Sequence, residues 1–160
     1  MSAYRILKAE KNGIFVLKFI GEIRLNLCST IDRAIEEIQL SEGLVTVVID
    51  LTQAQLVDST TLGLIAKVGV FAGRCGMLMP TIVSTNPDIT RMIATMGFED
   101  LFVIVNSSAL QVADLKEVTL CSASEAEVRS RVIAAHKVLM ELNENNREAF
   151  KDLVDALECQ

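Results

Sequence analysis

Apolar positions in this chain follow two rhythms, one strand-like and one helical, and the rhythms alternate. "YRILKAEKNGIFVLKFIGEI" reads as two strands around Asn12-Gly13, since both turn residues tolerate positive φ. In "NLCSTIDRAIEEIQL", Leu27, Ile31, Ala34, Ile35 and Ile38 recur at helical spacing, and Ser41-Glu42-Gly43 ends the helix. "LVTVVIDL", residues 44–51, is β-branched and almost continuously apolar, which suits a strand covered on both faces. Strand character ends at Val57, and a helical run extends from Leu62 to about Gly73. "MLMPTIVST" reads as another strand, with Pro80 at an edge or strand end. Pro87 opens a helix that Gly97 stops, "LFVIV" (101–105) is a short strand, and "SSALQVADL" (107–115) predicts one more helix.

The predicted order is β-β-α-β-α-β-α-β-α. Such alternation implies an α/β fold, a mixed β-sheet of four to five strands with helices packed on it. The tail differs, because residues 122–160 hold no glycine, no proline and no strand pattern. Val128, Val132, Ala135, Leu139 and Leu142 form one helical stripe, and Phe150, Leu153, Val154 and Leu157 form a second. The asparagine-rich "NENN" separates them. The division predicted is a domain over 1–118 and a C-terminal helical hairpin over 119–160. The stripes serve either to cover the core or to dock a partner, including a second copy in a homodimer.

Composition narrows the function classes. The 160 residues are 51% hydrophobic and 22% charged, with a net charge of −6. An acidic chain is poorly suited to nucleic acid or to an anionic membrane surface. No apolar run reaches the length of a membrane span, and "MSAYRILKAEK" has no signal-peptide core, so a cytoplasmic protein is expected. The four cysteines (Cys28, Cys75, Cys121 and Cys159) are far apart, and His136 is the single histidine. Neither a metal site nor any other cofactor is predicted.

Catalysis is not expected either. His136 stands in the helical tail, far along the chain from Ser59, so only the fold could join them, and "VDSTTLG" is not a G-x-S-x-G elbow. "GVFAGRCG" has glycines but lacks the Lys-Ser/Thr of a phosphate loop, and Glu36 and Glu37 read as solvated. Attention falls on Asp58-Ser59-Thr60-Thr61, where a strand hands over to a helix. Oxygen side chains there can cap the free N–H groups of the first turn, for about 1 kcal/mol. The same junction is a surface location in α/β folds, where another protein's active site can reach a hydroxyl. A phosphoryl group on Ser59 would bring about −1.5 to −2 charges. Between Arg33 and Lys67 the chain carries five acids (Glu36, Glu37, Glu42, Asp50 and Asp58) and no base, which favours a basic partner for this face.

"VVIDLTQAQLVDSTTLGLI" resembles the signature of the STAS domains of bacterial anti-sigma factor antagonists. "GEIRLNLCSTIDRAIEEI" and "NPDITRMIATMGFEDLF" resemble two further stretches of that family in the same order, and the likeness spans about residues 4–115. It implies a STAS-like fold and a non-enzymatic partner switch. Ser59 would be the phosphoacceptor of a serine protein kinase that doubles as the anti-sigma factor, and a serine phosphatase would restore it. Unphosphorylated, the protein would bind the anti-sigma factor and free a sigma factor. Asp58, Thr60, Thr61, Leu62 and Gly63 would form the switch region, with the helix through Gly73 as the contact. Thr61 departs from the family's usual glycine. The two-helix tail resembles the extension of one subgroup, which includes members acting in biofilm and surface behaviour. The alternatives are a non-switching STAS scaffold and a nucleotide-binding regulatory module that uses the same helix start as an anion site.

Overall fold

The computed structural model describes residues 4–107 and 114–160. Strands β1 (Tyr4–Lys11) and β2 (Ile14–Ile23) form an antiparallel hairpin. Asn12 and Gly13 turn it with φ of 54° and 81°, the paired left-handed geometry that matches strand twist. A 3₁₀ turn at Leu25–Leu27 leads into α1 (Cys28–Leu40). Next come β3 (Thr46–Val57), α2 (Ser59–Arg74), β4 (Thr81–Val83), α3 (Pro87–Thr95), β5 (Val103–Val105), β6 (Lys116–Glu117), α4 (Glu125–Leu142) and α5 (Glu144–Glu158).

The sheet order is β5-β4-β3-β2-β1-β6. Strands β2 to β5 run parallel, and β1 is antiparallel to both of its neighbours. The described sheet thus has six strands where four to five were expected. The addition is the two-residue β6, too short to show a period. Pro80 marks a strand end rather than an edge, since it precedes β4, which pairs on both sides. The helix predicted over 107–115 falls largely on positions 108–113, outside the described residues.

The expected double coverage of β3 is corrected. Val47, Ile49 and Leu51 are fully buried, whereas Thr46, Val48, Asp50 and Thr52 between them are only half-buried. Lys18 and Asp50 are register partners on β2 and β3 and lie 3.8 Å apart. A pair of charges this far from full burial keeps its hydration, which a helix layer would remove. The main core forms where Phe19, Ile23, Ile49 and Leu51 of the sheet join Ile31, Ile35, Ile38, Leu62 and Ile65 of α1 and α2.

Helices α4 and α5 pack together, and α4 lies against α2 within the same chain. Val132, Ala135 and Leu139 of the predicted stripe are buried, while Leu153 of α5 is exposed. The break between the helices has a structural task. Asn143 caps α5 by accepting from Asn146 N at 2.8 Å. The buried Asn146 amide donates to the carbonyls of Met96 and Leu139 at 2.8 and 2.9 Å, tying the hairpin to the end of α3.

The α2–α4 contact depends on residue size. A Cβ built on Gly63 would stand 2.2 Å from the Ala135 carbonyl oxygen, so only glycine permits this approach of the two backbones. In an isolated helix, alanine would be better than glycine by about 1 kcal/mol. Here Gly63→Ala is expected to lower stability by about 1–2 kcal/mol, because the overpacking cost outweighs the helix propensity. Thermal unfolding of the full chain measures the sign.

Candidate functional site

Strand β3 ends at Val57, and Asp58 adopts an extended backbone (φ −84°, ψ 172°) as the N-cap of α2. Its carboxylate accepts from Thr61 N at 2.9 Å, and its own N–H donates to the Ile23 carbonyl at 3.2 Å. The cap satisfies an otherwise free donor of the first turn and fixes the direction in which α2 leaves the sheet. Ser59 is therefore the first residue of α2 and is half-buried.

The Ser59 hydroxyl meets the histidine that the sequence left far away. Ser59 Oγ lies 2.8 Å from His136 Nε2, and His136 Nδ1 lies 2.7 Å from the Val132 carbonyl oxygen. A carbonyl only accepts, so Nδ1 carries the hydrogen and donates to Val132. In the neutral ring Nε2 is then the acceptor, and Ser59 donates to it. The ring is 2% exposed and stands edge-on to Phe150 at 5.0 Å. His136 is one turn beyond Val132, so the stripe on α4 carries it onto the start of α2.

A Ser–His pair invites comparison with a hydrolase. The group orienting His136 is a neutral carbonyl, not the carboxylate that stabilises an imidazolium in a catalytic triad. The N–H of Thr61, one candidate oxyanion donor, is already held by Asp58. The arrangement positions the serine and supplies its hydroxyl with an acceptor.

The predicted switch residues divide by burial. Asp58 and Ser59 border an open cleft of about 490 Å³, together with Glu125, Arg129 and His136 of α4. Thr60, Thr61, Leu62 and Gly63 are buried, so the first turns of α2 face the core or α4. The Thr61 hydroxyl has no hydrogen-bond partner among the described residues. Arg129 is half-buried and makes no ion pair or hydrogen bond with any described residue.

The acidic surround read from the chain does not gather at Ser59. Glu37 pairs with Lys8 at 2.6 Å, and Asp50 faces Lys18 across the sheet. Residues 33–67 traverse α1, β3 and part of α2, which disperses their charges over separate surfaces. A different cluster joins the helices. Asp32 of α1, only 9% exposed, takes Lys67 of α2 at 2.8 Å and Arg131 of α4 at 3.2 Å. Asp32, Arg129 and Arg131 carry no signal in the sequence that sets them apart from other charged residues. Only the placement of α4 against α1 and α2 reveals them.

Among the described residues no three His, Cys, Asp or Glu side chains come together as a metal site. Burial pushes the Cys28 thiol up from its ordinary range, which disfavours its reactive thiolate. No helix of the described residues is long and apolar enough to cross a membrane.

The sequence model of the STAS domain matches residues 5–111. The chain belongs to the STAS domain family. Solved structures agree on the STAS fold. An anti-sigma factor antagonist from Mycobacterium paratuberculosis is 19% identical and superposes with a TM-score of 0.53, over 65% of this chain and 86% of its own. SpoIIAA from Bacillus in its phosphorylated form is 14% identical with a TM-score of 0.51, over 79% of this chain and 96% of its own. SpoIIAA in its unphosphorylated form gives 14% and 0.54, over 79% and 93%. No curated protein matches the chain.

The two capping-turn residues predict opposite effects. Asp58→Ala should destabilise the STAS domain by about 1 kcal/mol through loss of the cap. Thr61→Val should stabilise it by about 1 kcal/mol, because it removes a buried hydroxyl with no partner at little change in volume. Denaturant midpoints of the two variants against the parent separate these outcomes.

Proposed function

We propose that this STAS domain is a phosphorylation-switched anti-sigma factor antagonist. With Ser59 unmodified it binds an anti-sigma factor that is also a serine kinase, and a sigma factor is released. The observation that carries the reading is the half-buried Ser59 hydroxyl at the first position of α2, on the border of an open cleft. Membership of the STAS family supports it, as do the fold neighbours, which are anti-sigma factor antagonists, one of them known in phosphorylated and unphosphorylated forms.

The chemistry is a phosphoryl transfer supplied by the partner. The γ-phosphoryl of ATP forms a bond to Ser59 Oγ as its bond to the bridging oxygen of ADP breaks, and the serine proton passes to a base of the kinase. A phosphatase returns the hydroxyl by transfer to water. This chain acts as acceptor and binding protein and not as the enzyme, and the exchange takes place in the cytoplasm. Residues 1–118 form the STAS unit and 119–160 its extension. A dianion at the edge of the contact must be desolvated when the partner docks, which costs several kcal/mol unless a cation meets it. The complex therefore separates on phosphorylation.

Mass spectrometry of the protein from its native cell should find one phosphoryl group on Ser59 and none after Ser59→Ala. Ser59→Glu should weaken the anti-sigma factor complex by about tenfold or more, the equivalent of 1.4 kcal/mol. A phosphoryl group on Thr60, or on no residue, would sink the reading.

A further inference from the structure

The hydroxyl assigned to the switch is not free. It is held by α4, and α4 covers the first turns of α2. This contact joins the two parts of the chain at the atom whose chemistry changes. The consequences for the hairpin follow from what lines the cleft.

Three features converge there. His136 is buried and anchored through Nδ1, which donates to the Val132 carbonyl. Nε2 is therefore the ring nitrogen that faces Ser59 Oγ and the cleft. Arg129, two helical turns before His136 on α4, is a half-buried residue whose guanidinium has no partner among the described residues. The cleft is open and has room for a tetrahedral anion beside Ser59. The acids facing it are Asp58 and Glu125. Asp58 is engaged by the Thr61 N–H, and Glu125 is exposed in the first turn of α4.

We propose that this cleft is a receptor, built within the chain, for a phosphoryl group carried on Ser59, with the Arg129 guanidinium as its charged donor and the His136 ring as the wall beside it. The inference rests on the switch reading above and supplies a regulation for it. With Ser59 unmodified, one neutral hydrogen bond holds α4 at this point, and a partner can displace it. A phosphoryl group replaces that bond with charge-assisted ones, which are shorter and stronger. The hairpin, which already covers Thr60–Gly63, is then fastened more firmly there, and a partner can no longer displace it from the face of α2. Phosphorylation thus acts here by locking a cover in place, and the charge that Arg129 meets adds correspondingly less to the cost of desolvation.

The test uses the full chain with phosphoserine installed at position 59 during translation, so it does not depend on a cellular kinase. Amide hydrogen exchange over α4 and the first turns of α2 should slow by about tenfold relative to the unmodified protein. Arg129→Gln should abolish that gain while leaving exchange of the unmodified protein unchanged, and Arg129→Lys should restore part of it. The phosphorus resonance provides a second reading, since its titration should move to lower pH in the parent than in Arg129→Gln. Faster exchange across α4 on phosphorylation, or protection that survives Arg129→Gln, would overturn the proposal. If cells carry no phosphoryl group on Ser59, the switch reading fails while this experiment keeps its outcome.

Discussion

The approach of α4 to α2 is the constraint on which the organisation of the site depends. Two helices packed through ordinary side chains keep their axes about 8–10 Å apart. Gly63 removes the side chain at the crossing, and the backbone of Ala135 occupies the space. From that contact the rest follows along α4. Arg131 lies toward Asp32 and Lys67, His136 toward Ser59, and Leu139 enters the core. A bulkier residue at position 63 would displace all of these together, since they are turns of one rigid helix.

The electrostatics of the contact are divided between its ends. At Asp32 the charges are present, paired and partly desolvated, and three helices share them. Such a cluster fixes orientation more than it adds stability, because desolvation offsets much of the attraction. At Ser59 the existing bond joins two neutral groups, and Arg129 on the same cleft has no partner among the described residues. The hairpin is thus held by an ionic tie at one end and a neutral hydrogen bond at the other. The small residues between them allow the two to belong to a single interface.

The β/α order, the Asn12-Gly13 hairpin, the start of α3 at Pro87 and the two tail helices were legible because each rests on local physics. Turn residues fix φ, caps satisfy free donors, and a stripe at helical spacing must be buried. Asp58 was readable as a cap for the same reason. The one-sided burial of β3 was less legible, because Val48 is as apolar as Val47 and Ile49 and hides the alternation that Thr46, Asp50 and Thr52 carry. Strand β6 has too few residues to carry a pattern. Asn146 looked like part of a polar break and proved to be a buried clamp, since its partners are carbonyls from α3 and α4.

The chain by itself determined where a serine would stand, because a carboxylate before it and a helical run after it place the hydroxyl at a helix start whatever surrounds it. It also determined that the tail would be helical and would seek cover. Only the tertiary structure decided what covers what: that His136 reaches Ser59, that Arg129 borders the same cleft, and that the expected acidic face is dispersed. Those outcomes depend on the distance between backbones of remote segments, set at Gly63 by the absence of a single carbon atom, and no local period records that distance.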